Sequence, residues 1–345
     1  MKKILFLCIA LMLVLSVCAE ASVTCDTKKN GCVGLPVTWT VGTAFESAGV
    51  YIVGEETPRA SFGKGNDKVI YTPEAAGDYV LVCTLENGDV LISGVTNVAG
   101  ALYLGTYEQD GKAATADPLE WTVIGVEDGK ALVISKYILR NNSYFNPWWI
   151  KFKYTYWAKS YVGDYSENYY SSAPKDPSRL YRNVSATSIP MEPVNGNKNI
   201  RGTEEDLYRS EIHCRYWCND MFYADAFTDE EKARILLTHN ENPDNTEFNI
   251  EGGPDTDDYV FFLSYPELLK YMPTDESRKC TQTTAARQSN KKVNDGNYWW
   301  LRTPGNWPFQ AMMIYGSNGH ISYAGSDVGH SNVGYRPAMW IKIGD

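Results

Sequence analysis

Histidine is scarce: there are four in 345 residues, and none forms a His-Glu-x-x-His pair. That absence removes the commonest zinc-hydrolase signature. Cys-x-x-Cys, Gly-x-Ser-x-Gly and phosphate-binding glycine loops are missing too, so the sequence offers no nucleophile elbow and no nucleotide cradle. His213, Cys214 and Cys218 stand close together. Zinc would need more ligands at regular spacing, and only Cys280 follows in that part of the chain. Positive charge is also in deficit, with 32 basic residues against 42 acidic ones and a net charge of −10. Nucleic acid and anionic lipid both ask for a basic face, so neither is expected as a partner. After the first twenty or so residues no apolar run is long enough to span a bilayer.

The start of the chain is present for a different reason. Lys2 and Lys3 precede an apolar run at 4–17, and Ala19-Glu20-Ala21 follows as a small-x-small cleavage site. Residues 1–21 read as a signal peptide, and the product is expected to be secreted or displayed at the cell surface. Lipidation at Cys18 is the competing reading, and it fits poorly because Val17 stands where a small residue belongs. Two of the 32 basic residues and one of the 42 acidic ones would leave with the leader, so 30 face 41 in the mature chain. Six cysteines would remain: Cys25, Cys32, Cys83, Cys214, Cys218 and Cys280. Six allow fifteen disulfide connectivities. Cys25 and Cys32 could close a small loop, Cys280 could reach Cys214 or Cys218, and buried thiols are an equally good reading.

Residues 22–99 read as an all-β sandwich. Short β-branched and aromatic runs are punctuated by Gly, Pro, Asn and Asp, and Asn87-Gly88 marks a hairpin. Residues 100–345 read as α+β. A hairpin around Glu127-Asp128-Gly129 places Trp121, Val123, Leu132 and Ile134 on one face. Twelve of the 27 residues in 144–170 are aromatic, with no clean period. This stretch opens an insertion running to about 202, which is either a satellite core or a ligand platform. Helical spacing covers 204–227. Thr228/Glu231 and Ser264/Glu267 form capping boxes, and the second follows a buried strand at 259–263. Asn318-Gly319 is the two-residue turn of a C-terminal hairpin. It pairs Ser317 with His320, Tyr315 with Ser322 and Ile314 with Tyr323. Ile314, Ile321 and Tyr323 then share one face, and Tyr315, Ser317, His320 and Ser322 share the other. Residues 333–343 make a closing strand.

Several motifs carry a resemblance. "YWWLRTPG" (298–305), "GSNGHI" (316–321) and "GYRPAMWI" (334–341), with "GTYEQDG" and "GGPDTDDYVFFLSYPE" before them, resemble a family of uncharacterised domains in exported bacterial proteins. The Gly-x-Arg close also resembles the C-type-lectin-like fold in its formylglycine-generating-enzyme branch. That resemblance implies that the Trp-Trp-Leu-Arg and Gly-Tyr-Arg-Pro strands lie side by side, with a site built from loops near the last hairpin. The branch's sulfur chemistry needs a cysteine pair among the last strands, and no cysteine follows Cys280. "AAGDYVLVC" (75–83) resembles a strand of bacterial immunoglobulin-like domains, with Tyr79 as a tyrosine corner. In that pattern the tyrosine stands two residues before the cysteine, and here it stands four before.

Trp299, Leu301, Met339 and Ile341 are expected in the sheet core. Arg302 and Arg336 are expected to be buried on neighbouring strands with carboxylate or carbonyl partners. "MEPVNG" (191–196) and "WCND" (217–220) resemble the calcium motifs of sugar-binding lectins, but Val194 and Cys218 interrupt them. Asp255, Asp257 and Asp258 could serve calcium; capping turns in a solvated loop suits them better. No metal, cofactor or catalytic residue is therefore assigned. The expected function is recognition of an extracellular glycan or a surface protein. Asn306, Trp307, Phe309, Tyr315 and His320 are the expected contacts, with Trp148 and Trp149 further out. The alternatives are a polysaccharide-acting enzyme and a structural surface component without a small ligand.

Overall fold

Alternating in-out patterns in the N-terminal stretch produce nine strands among the described residues: β1 (Thr24–Cys25), β2 (Gly31–Cys32), β3 (Val37–Thr40), β4 (Phe45–Ile52), β5 (Ala60–Phe62), β6 (Lys68–Tyr71), β7 (Gly77–Leu85), β8 (Val90–Ile92) and β9 (Thr96–Ala99). The structure, a computed structural model, describes residues 23–25, 31–112, 116–142, 155–157, 164–167, 214–250, 252, 255–289, 297–307, 310–328 and 330–343. It divides into two compact units, Met1–Leu102 with Ile343–Asp345, and Tyr103–Lys342. The proposed leader and most of the aromatic insertion, including Trp148 and Trp149, lie outside the described residues.

In the first unit β1, β3 and β6 form one sheet. A second sheet runs β2-β9-β7-β4-β5, with β8 added beside β7. Every second residue of β3 points inward, so Val37 and Trp39 meet Val50, Tyr79, Leu81 and Val98 from the other sheet in one core. The buried Tyr79 hydroxyl donates to the Ala75 carbonyl at 2.8 Å, which satisfies a polar group that would otherwise be costly to enclose.

The second unit is α+β. Its strands are β10 (Leu102–Tyr107), β11 (Asp117–Glu127), β12 (Lys130–Ser135), β13 (Arg140–Asn141), β14 (Thr155–Trp157), β15 (Asp164–Glu167), β16 (Thr238–Asn240), β17 (Thr256–Asp258), β18 (Tyr298–Pro304), β19 (Gln310–Tyr315), β20 (His320–Asp327), β21 (Gly334–Tyr335) and β22 (Ala338–Lys342). One sheet is ordered β10-β11-β12-β22 and the other β13-β21-β18-β19-β20, with two small ladders, β14-β15 and β16-β17. The larger sheet is mixed, because β18 runs parallel to β21 and antiparallel to β19. The helices among the described residues are short: α1 (Cys214–Tyr216), a π-helical turn at Trp217–Phe222, α2 (Tyr223–Ala226), α3 (Asp229–Lys232), α4 (Tyr265–Tyr271), α5 (Asp275–Arg278) and α6 (Thr284–Ser289). No helix among the described residues is long and apolar enough to cross a membrane.

Both expected capping boxes are present. Thr228 and Glu231 start α3, and Ser264 and Glu267 start α4, with side chain and backbone bonded reciprocally in each. Four expectations need correction. The Asp128-Gly129 turn forms, pairing Glu127 with Lys130, but a bulge between Val123 and Gly125 inserts one extra residue. Trp121 and Val123 therefore oppose Ser135 and Val133, and Leu132 and Ile134 project from the other face. Because β12 is buried on both faces, neither set is left in solvent. Residues 260–263 are fully buried but form no ladder, and only Phe261 bridges Ala338. The closing strand is two strands, because β21 joins β13 and β18 while β22 joins β12. Finally, the last hairpin turns through four residues and not two, so Tyr315 pairs with His320 and Ile314 with Ile321. That slip of two residues keeps every side chain on its expected face.

The main core gathers Leu132, Ile134, Phe261, Leu263, Trp299, Leu301, Ile314, Ala338 and Trp340. Met339 and Ile341 are also fully buried. Trp299 and Leu301 of the "YWWLRTPG" motif are therefore interior, as expected.

Candidate functional site

Arg302 fixes the end of β18. It is 2% exposed, and its Nη1 and Nη2 reach the two Glu267 carboxylate oxygens at 2.5 and 2.8 Å. Nη1 also donates to the Phe262 carbonyl, and Nη2 to that of Glu241. Glu267 is the N3 residue of α4 and accepts the Ser264 amide as well, so one carboxylate ties the helix start to the strand. Arg336 is buried between β21 and β22. Its Nε donates to the Ser135 carbonyl at 3.0 Å, Nη1 lies 3.4 Å from that of Arg278, and the guanidinium stacks 4.9 Å from the Trp299 ring centre. Carbonyls and an aromatic face thus hold this cation, and burial lowers its proton affinity against the pull of Cys280. Both arginines hold loops in place.

Beyond Arg302 the chain makes a tight connection to β19. The Gly305 amide donates to the Gln310 carbonyl at 2.7 Å, Asn306 N–H to Ala324 O at 3.0 Å, and Gln310 N–H to Trp307 O at 2.9 Å. A Cβ on Gly305 would lie 2.2 Å from the Ala324 carbonyl, so only glycine lets the loop lie against β20. The Trp307 side chain emerges from this loop 56% exposed. Asn306 Oδ1 and Gln310 Oε1 are enclosed and accept no hydrogen bond among the described residues. Gln310 is paired directly with Asp327. Burial pushes the Asp327 carboxyl above its ordinary value, while the nearby His330 pulls it back. Ser326 Oγ lies 2.7 Å from His330 Nδ1.

Tyr315 and His320 occupy the other end of the hairpin. Tyr315 stands edge-on to Tyr298, ring centres 5.0 Å apart. His320 Nε2 lies 3.0 Å from Asp275 Oδ2, and Asp275 Oδ1 takes Arg278 Nη2 at 2.9 Å. Five residue steps of β19 separate this end from Gln310, about 17 Å at strand rise. The described contact residues therefore split into two pairs, Asn306 with Trp307 and Tyr315 with His320. Phe309, Trp148 and Trp149 lie outside the described residues. Gln310, Ser326, Asp327 and His330 were not expected as contacts, although the expected register, with Ile314 opposite Tyr323, already sets Gln310 opposite Asp327. The polar "GSDVGH" run at 325–330 is a further signal for three of them.

The metal candidates resolve differently. Asp258 is committed to Arg215, Asn219 and Thr256, while Asp255 and Asp257 flank His239 from opposite ring nitrogens. These three carboxylates do not converge on one point. In "WCND", Asn219 accepts the Tyr259 and Val260 amides and donates to the carbonyls of Arg215 and Val260, so it is a backbone clamp. Cys214 is fully buried, and burial raises its thiol well above the ordinary value, with Cys218 adding to the effect. Glu108, Asp110 and Asp117 each bring a carboxylate oxygen within 4.8 Å of the others. Amides of 109–112 already occupy several of these oxygens.

A family described as a domain of unknown function (DUF6273) matches residues 194–343. The matched segment contains β16 to β22, both arginines and both ends of the last hairpin. No curated protein matches the chain.

Proposed function

We propose that this is an exported binding protein that recognises an extracellular glycan at the β18–β19 loop. The observation carrying this reading is the exposed Trp307 ring, beside Asn306 and Gln310 whose side-chain oxygens have no donor among the described residues. An indole face supplies stacking area to a sugar ring with little loss of side-chain freedom. An enclosed acceptor without a donor costs about 1–3 kcal/mol, and a ligand N–H or O–H arriving there recovers it. In this reading the contact residues are Asn306 and Trp307, joined by Gln310 and Asp327. Tyr315 and His320 stand too far along β19 to touch the same small ligand.

The leader-like residues 1–21 support export. A C-type-lectin-like reading of the second unit is supported by β21 lying beside β18. The hydroxyl bond from Tyr79 to Ala75 supports an immunoglobulin-like reading of residues 22–99. Both are fold-level analogies and supply no activity by themselves. A glycoside hydrolase would need a second carboxyl at a set distance from Asp327, and release of reducing ends that is lost in Asp327→Asn would favour that reading. The deciding experiment is a glycan array with the full chain and with Trp307→Ala. Binding lost in the variant at unchanged melting temperature supports the proposal. Binding unaffected by the variant, or none to any glycan, overturns it and leaves a protein ligand or a scaffold.

A further inference from the structure

Three side-chain hydrogen-bond acceptors lie on the segments at the Trp307 end of the hairpin, and none has a donor among the described residues. Asn306 Oδ1 and Gln310 Oε1 are enclosed. The Asp327 carboxylate, directly opposite Gln310 in the ladder, makes no hydrogen bond or ion pair among the described residues. Opposed residues project from the same face with Cβ atoms about 5 Å apart, so the Gln310 and Asp327 side chains leave the sheet together. The Asn306 amide is tied to Ala324 O, which holds its loop against the same stretch of β20. Asn306, Gln310 and Asp327 are all only partly buried, so small side-chain rotations turn their oxygens toward an incoming group.

The chemistry of the missing donor follows from this arrangement. A hydroxyl both gives and accepts, and the side-chain N–H groups that Asn306 and Gln310 carry beside their oxygens can serve it, so these two residues do not by themselves separate a hydroxyl from an amine and the Asp327 carboxylate does. An ammonium group has three N–H donors and no acceptor. It also carries the charge that a desolvated carboxylate lacks, and it is attracted to an indole face. The acidic chain, net −10, favours the approach of a cation. The nearby group that draws the Asp327 carboxyl back down is His330, whose Nδ1 lies against Ser326 Oγ.

We propose that Asn306, Gln310 and Asp327, capped by Trp307, form a subsite for the protonated amino group of an amino sugar. This rests on the glycan reading above and narrows it to sugars with a free amine.

The test uses the full chain and two probe sets of equal length: glucosamine and galactosamine oligosaccharides, and their N-acetylated forms. Calorimetry is expected to show the amine forms binding about tenfold tighter, the size of one charge-assisted hydrogen bond. Asp327→Asn should abolish that preference, and added salt should erode it. Gln310→Leu, which removes a second acceptor without touching the carboxylate, should weaken the amine forms selectively and serves if Asp327→Asn fails to fold. If N-acetylated and amine forms bind equally, or Asp327→Asn keeps the preference, the amine subsite is overturned while the glycan reading stands. If no sugar of either kind binds and the neutral array is silent, both fall.

Discussion

Glu267 and Arg302 share a two-point ion pair in which the arginine side chain is almost wholly enclosed and the carboxylate retains some solvent contact. The same carboxylate closes the α4 capping box. Removing one partner strands a charge, a loss of about 3–5 kcal/mol in buried pairs. Glu267→Gln is expected to lose stability on that scale, whereas Glu267→Gln combined with Arg302→Met should recover part of it. Urea unfolding of both variants checks this. A double variant no better than the single one would show that the pair is not the source.

Gly319 and Gly129 separate two effects of a side chain at a turn. Both have left-handed backbones, φ +81° and +75°. A Cβ at 129 meets nothing, but at 319 it falls 1.8 Å from the Asp275 carbonyl. Gly129→Ala is expected to cost about 1–2 kcal/mol for conformation alone, and Gly319→Ala clearly more, because backbone must move. Equal losses in denaturant melts would contradict the packing of the last turn on α5.

Trp299 and Trp307 are eight positions apart and should behave oppositely. Trp299 is fully enclosed, so Trp299→Ala is expected to cost about 3–5 kcal/mol. Trp307→Ala should stay within about 0.5 kcal/mol of the parent, as for an ordinary surface site. Thermal and chemical melts of the pair decide this, and a large loss at 307 would remove the exposed ring as a contact surface.

The buried thiols should be inert in the native protein. Burial pushes Cys83 up to about 11 and raises Cys214 and Cys280 as well, so little thiolate exists near neutrality. Cys25 is only half-buried. Alkylation mapped by mass spectrometry should label Cys25 first and the other three only after denaturation. Rapid native labelling of Cys280 would contradict its enclosure.

His239 lies between Asp257 and Asp255, and its hydrogen bond to Asp257 is the main cause raising it above the ordinary 6.5, with slight burial opposing. The folded chain thus holds this proton more tightly than the unfolded one. The stabilisation is complete below about 6.5 and disappears as pH rises through the raised folded value. An NMR titration of the ring should give a midpoint above 6.5 that falls in Asp257→Asn. A midpoint unmoved by that substitution would show that the carboxylate is not responsible.

Sequence reading worked where the determinant is local. Thr228 with Glu231, and Ser264 with Glu267, announce helix starts within four residues, and both caps form as expected. Side-chain parity in the last hairpin survived an error in turn length, because the slip was even. The Trp121 hairpin did not survive, since a single bulged residue inverts every face beyond it. The candidate site was legible as an exposed aromatic loop and, through the expected hairpin register, as Gln310 facing Asp327. Counting back from the Tyr315–His320 pair sets Gln310 opposite Gly325, yet an irregularity between Ala311 and Met313 carries it to Asp327. The two-residue turn expected at Asn318-Gly319 also sets Gln310 opposite Asp327, because the irregularity restores what the longer turn removes, whereas the hydrogen bonds that hold the Asn306 loop against β20 had no local signal.

The passage from Gly334 to Lys342 contributes to both sheets in turn, first between β13 and β18 and then beside β12. A single short ribbon therefore works as a seam. Pulling it out from Val333 onward would unzip one layer at its interior and fray the margin of the other. The two layers should consequently melt as one cooperative block, and a chain lacking its last dozen residues should retain neither.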